Sequence, residues 1–118
     1  MPNLLDEIFA DDLVDDLLNR DERDYGWVSE GQLIKLVKKL ADAPSQKFRV
    51  KAAITKRYAV SVIRTSMSYG GREGLFEIAL LNNKGSKLLY RDDFFNGDVG
   101  RYLTSKEIKE AIEKIHTF

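Results

Sequence analysis

Cysteine is absent from this chain, which removes disulfides, thiolate metal sites and cysteine nucleophiles together. There is a single histidine, His116, two residues from the end, so most zinc and histidine-base chemistry is excluded as well. No run approaches the roughly 18 apolar residues needed to span a bilayer. The first residues, Met1, Pro2, Asn3, Leu4, Leu5 and Asp6, lack the basic-then-apolar pattern of a secretion signal. The expectation is a cytoplasmic protein with no membrane partner, no cofactor, no metal and no catalytic residues.

What is present is the balance of a globular protein: 43% apolar and 32% charged residues in 118 positions, enough for one core and too few for two ordinary domains. Residues 1–118 are therefore read as a single domain. Lysine plus arginine equals aspartate plus glutamate at 19 each, but the charges are segregated. Residues 1–30 hold ten acids and two bases, residues 31–64 one acid and nine bases, and residues 65–118 eight of each. This polarity is the clearest functional hint in the sequence.

Residues 4–20 have helical propensity, with Asn3 as a fair cap. Leu5, Phe9, Leu13 and Leu17 form one stripe with Ala10 and Val14, while Leu4, Ile8 and Leu18 fall opposite, among Glu7, Asp11, Asp12 and Asp15. Either the helix breaks at Asp11 or Asp12 so that both halves face one core, or its second side meets another protein or another copy of this chain. Residues 1–24 thus read as an acidic helical arm, and residues 19–28 as a polar connector.

A second helix is announced by a capping box, Ser29 with Gln32, and a hydrophobic staple, Val28 with Leu33. Its apolar arc runs through Leu33, Ile34, Leu36, Val37, Leu40 and Ala41, and it stops near Pro44. From Ser45 the period changes to two. Phe48, Val50, Ala52 and Ile54 mark one half-buried strand, and Tyr58, Val60 and Val62 mark the next, with Arg64 breaking the alternation at a bulge or strand end. Leu75 to Leu81 reads as a central strand, paired through the turn Asn82, Asn83, Lys84, Gly85 to a strand at 87–91. After a loop at 92–102, Thr104 with Glu107 and Leu103 with Ile108 open a last helix, buried along Ile108, Ala111, Ile112 and Ile115. The fold class expected is α+β: two N-terminal helices, a four-stranded mainly antiparallel sheet, and a C-terminal helix packed on the sheet.

Asp11 with Asp15, and Asp12 with Asp16, lie four apart on one acidic face with no other ligand nearby, which favours a solvated or partner-binding face over a metal site. A calcium loop starting at Asp21 fails because Arg23 and Tyr25 stand where oxygen ligands belong and Gln32 replaces the bidentate glutamate. Gly70, Gly71 and Gly74 lie between strands with no helix following, so they mark a special turn rather than a phosphate loop, with Tyr69 and Arg72 at its tip. Lys47, Arg49, Lys51, Lys56, Arg57 and Arg64 concentrate on the first hairpin and would suit phosphates, but no outward aromatic platform accompanies them in the sequence. His116 is read as a cationic cap on the last helix.

The run from Ser68 through Gly70, Gly71, Arg72, Glu73, Gly74, Leu75, Phe76, Glu77 and Ile78 to Ala79, followed by Asp98 to Thr104, resembles small uncharacterised phage and prophage proteins of Gram-positive bacteria. The likeness covers about Val60 to Ile115. It implies a phage-encoded accessory protein that inhibits or redirects a host system, in the manner of anti-restriction or anti-CRISPR proteins. The expected function is a non-catalytic protein-binding module acting on a host protein or complex. Asp11, Asp12, Asp15 and Asp16 would supply charge, and Leu4, Ile8, Tyr69, Arg72, Phe94 and Phe95 would supply contacts. The alternatives are a nucleic-acid-binding accessory protein, its basic hairpin masked by the acidic helix, and a homodimer in which the two charged regions cross between chains.

Overall fold

The computed structural model describes residues 22–97 and 99–118. Among these, five strands form one sheet in the order β1-β2-β3-β4-β5, namely Arg23–Val28, Phe48–Ala53, Tyr58–Arg64, Phe76–Asn82 and Gly100–Leu103. Two helices, α1 (Glu30–Ala41) and α2 (Ser105–Ile115), pack on one face. β1 runs parallel to β2 through the α1 crossover, and the remaining pairs are antiparallel. This mixed five-stranded sheet overturns the expected four-stranded, mainly antiparallel one. The helix expected at 4–20 lies outside the described residues.

Both described helices start where their capping boxes dictate. Ser29 Oγ accepts the Gln32 N–H while Gln32 Oε1 accepts the Ser29 N–H, and Thr104 and Glu107 repeat the arrangement. Leu33, Leu36, Val37 and Leu40 from α1 and Ile108, Ile112 and Ile115 from α2 close over Phe48, Val50, Val60, Val62, Phe76 and Ile78. His116 ends α2 as expected, and its Nε2 also meets Glu30 Oε1 at 2.6 Å, joining the end of α2 to the first turn of α1.

Two local corrections explain the change of sheet. The residues read as a connector form β1, because Tyr25 turns inward to an edge contact with Phe48 at 6.4 Å and Val28 packs against the core. Gly26, at φ +63, shifts the register between Asp24 and Trp27, which disguised the alternation. The segment expected as a strand at 87–91 pairs with the end of β4 only briefly, through the antiparallel bridge of Leu88 with Leu81, in which the Asn82 N–H donates to the Lys87 carbonyl and the Leu89 N–H to that of Leu80. The chain then leaves the sheet, since Phe94 is drawn into the core at 2% exposure through a turn with Phe95, Asn96 and Gly97 all at positive φ. β5 takes the vacated edge of β4, pairing Leu103 with Phe76 and Gly100 with Ile78.

Arg64 is the last residue of β3 and does not break the alternation. It lies opposite Phe48 on the inner face and is fully buried. Its guanidinium donates to the carbonyls of Gln46 (2.9 Å), Leu40 (3.0 Å), Gly74 (3.2 Å) and Ala43 (2.7 Å), and lies over the rings of Phe48 and Phe76. One cation thereby satisfies carbonyls at the end of α1, in the loop before β2 and at the close of the 70–74 turn. Burial pushes its pKa down to about 10, so it stays charged at neutral pH.

Candidate binding surface

With the described helices on one side, the opposite face of the sheet carries Trp27 on β1, Arg49 and Lys51 on β2, Ser61 and Ile63 on β3, and Glu77 on β4, which pairs with Ile63. Aromatic side chains stand at both ends of this face.

At the β4–β5 end, the 70–74 turn brings two tyrosines together. Gly70 sits at φ +85, and a Cβ there would meet Tyr102 Cα at 3.0 Å, so glycine lets the turn lie directly on β5. The Tyr69 N–H donates to Glu77 Oε2 at 3.1 Å. The ring of Tyr69 lies 6.3 Å from that of Tyr102 and 4.6 Å beneath the Arg101 guanidinium. Tyr69 and Tyr102 are each 53% exposed, and Met67, in the same loop, is 89% exposed. Tyr102 adopts φ +57 inside β5, a conformation that costs a non-glycine residue on the order of 1–3 kcal/mol. The turn is tied to the core at its close, where Arg64 donates to the Gly74 carbonyl.

At the β1 end, Trp27, Arg49, Lys51, Ser61 and Ile63 surround a depression of about 300 Å³, with Asp24 at its rim. Trp27 is half exposed. Gly85 closes against its indole so tightly that a Cβ would come within 2.3 Å of Cζ2. Lys51 Nζ lies 6.0 Å from the indole centroid and donates to the Gly85 carbonyl at 3.1 Å. Arg49 pairs with Glu22, whose hydrogen bond and charge both raise its pKa.

The residues nominated from sequence are divided by this arrangement. Tyr69 and Arg72 stand exposed at the tyrosine corner. Phe95 is 38% exposed and lines a second cleft with Leu103, Glu107 and Lys114, but Phe94 belongs to the core and is not a surface contact. Among the basic residues, Lys56 and Arg57 project at the β2–β3 turn, whereas Lys47 donates to the Gly71 carbonyl and Lys51 to that of Gly85. Arg64, fully buried, is out of reach of a phosphate. Leu4, Ile8, Asp11, Asp12, Asp15 and Asp16 lie outside the described residues.

Sequence reasoning missed Met67, Arg101, Tyr102 and Trp27. Tyr102 and Arg101 sat inside a presumed loop, and nothing in local spacing announces that Gly70 meets β5. The corner is built by residues 67–74 and by β5. Among the described residues, no group of three or more histidine, cysteine, aspartate or glutamate side chains is placed to hold a metal, and no helix is long and apolar enough to cross a membrane.

No family model, curated protein or solved structure matches this chain. A functional reading therefore rests on the surface itself.

Proposed function

We propose that this chain is a non-catalytic binding module that captures a protein partner through the corner formed by Tyr69 and Tyr102, with Met67, Arg72 and Arg101 around it. Tyr102 is the observation that carries the reading. Its backbone is held in a costly conformation while its ring remains 53% exposed, so burial of that ring does not offset the strain. Recognition accounts for retaining such a residue better than folding does. Tyrosine, methionine and arginine are also the side chains enriched at the centres of protein interfaces.

The phage resemblance extends the proposal to a mobile-element inhibitor of a host enzyme or defence complex, acting by surface occlusion. The acidic residues of segment 1–24 would speed its association with a basic target. A nucleic-acid role in which the whole first hairpin tracks a phosphate backbone has less support, because Arg64 is buried and Lys47 donates to the Gly71 carbonyl.

Tyr102→Gly tests the reading, because it deletes the ring and relieves the backbone together. The expected outcome is a protein that melts no lower than wild type yet no longer retains, in affinity capture from Gram-positive host lysate, the partner that wild type retains. Capture undiminished in Tyr102→Gly and Tyr69→Ser alike would rule the corner out.

A further inference from the structure

The depression at the other end of the outer face has its own chemistry. It is lined by the half-exposed indole of Trp27, against which the Gly85 backbone closes, by Ser61 and Ile63, and by two cations, Arg49 and Lys51, with the Lys51 ammonium over the indole ring. An ammonium has three donors, and the Gly85 carbonyl accepts one from Lys51. A flat ring stacked on Trp27 would carry a neighbouring anionic group within reach of Lys51, whose Nζ lies 6.0 Å from the indole centroid. The volume, about 300 Å³, suits one base, sugar and phosphate. Glu22 already places a carboxylate on Arg49, which marks the position where an anion is stabilised.

We propose that this depression is a nucleotide site: the base stacks on Trp27, Lys51 and Arg49 take the phosphate, and Glu22 competes with that phosphate for Arg49. The ligand is a free nucleotide or one nucleotide of a single strand, and both present the same ring and anion. The site lies apart from the tyrosine corner and does not depend on the protein-binding reading.

Trp27 is the chain's only tryptophan, so its emission reports the site directly. The full chain is titrated with AMP, adenosine, inorganic phosphate and a short oligoadenylate. The expected result is saturable quenching by AMP, with adenosine about tenfold weaker and phosphate alone giving no stacking quench. Lys51→Met should raise the half-saturating AMP concentration about tenfold, whereas Glu22→Gln should lower it about threefold. Half-saturation by oligoadenylate at a far lower concentration per nucleotide than AMP, with the same two variant effects, would assign the site to a strand. The proposal is overturned if neither AMP nor oligoadenylate quenches the emission, or if Lys51→Met leaves the titration unchanged while its circular dichroism matches wild type.

Discussion

Tyr25 and Arg64 occupy neighbouring parts of the core and respond to alkali in opposite directions. Desolvation raises the Tyr25 phenol from its ordinary 10 to about 12, partly countered by the charge of Arg23. Between those two values the unfolded chain has lost the proton that the folded chain keeps, so the unfolded state binds fewer protons and stability falls as pH rises. Tyr25 thus contributes stability that is intact below pH 10 and is lost as pH passes through about 12. Arg64, lowered to about 10, has the reverse sign, because losing its proton relieves the cost of burying a cation. Comparison with Tyr25→Phe separates them, since that variant retains Arg64. Urea unfolding followed from pH 9.5 to 12 should show wild type losing roughly 1–2 kcal/mol more than Tyr25→Phe; parallel losses would mean the phenol titrates normally. Neither group's environment was legible in the sequence. Arg64 keeps the inward parity of Val60 and Val62 on an otherwise apolar face, and only the carbonyls converging from α1, the following loop and the 70–74 turn explain why a cation takes that position.

The elements that were legible are those whose signals are local. Both capping boxes, the alternation of β2 and β3 and the apolar run of β4 each sit within a few residues in the chain, and the structure places a helix start or a strand at each. β1 and β5 were not legible, because each pairs with an irregular register and is defined by a partner far away in sequence: β1 by β2 across the α1 crossover, and β5 by the edge of β4 that the 87–91 segment leaves free. The acidic and aromatic content of β1 therefore read as a connector, and Trp27 was not recognised as an exposed aromatic beside the basic strand. The caps also allow a test at this scale. Ser29→Ala and Thr104→Ala should each lower stability by about 1 kcal/mol in denaturant unfolding, and the double variant by about the sum, because the two caps begin different helices and share no hydrogen-bond partner. A double variant much less stable than that sum would show that the two helices form only together.

For the whole molecule, zero net charge conceals a chain whose acids and bases are separated. Residues 1–21 hold seven acids and one base out of 19 of each, so residues 22–118 retain 12 acids and 18 bases, a net +6. Excess charge of that size would ordinarily confer salt-sensitive binding to any nucleic acid. The fold limits the effect, since Arg64 is buried, Lys47 is hydrogen-bonded to a backbone carbonyl, and Arg49 and Lys51 line the small Trp27 depression rather than a groove along a duplex. Lys56 and Arg57 remain exposed on that hairpin, while the lysines of α1 lie on the helical side of the sheet. Removing residues 1–21 should therefore create only weak affinity for duplex DNA, with a log–log salt slope no steeper than about −3, as expected for a few phosphate contacts. Measuring binding of full-length and truncated chains across a salt series, with circular dichroism confirming that both are folded, decides the matter. A slope near −6 would mean that the committed cations are released to phosphates once the acidic segment is gone. That result would restore the masked nucleic-acid surface as the working face of the protein and demote the tyrosine corner to a secondary contact.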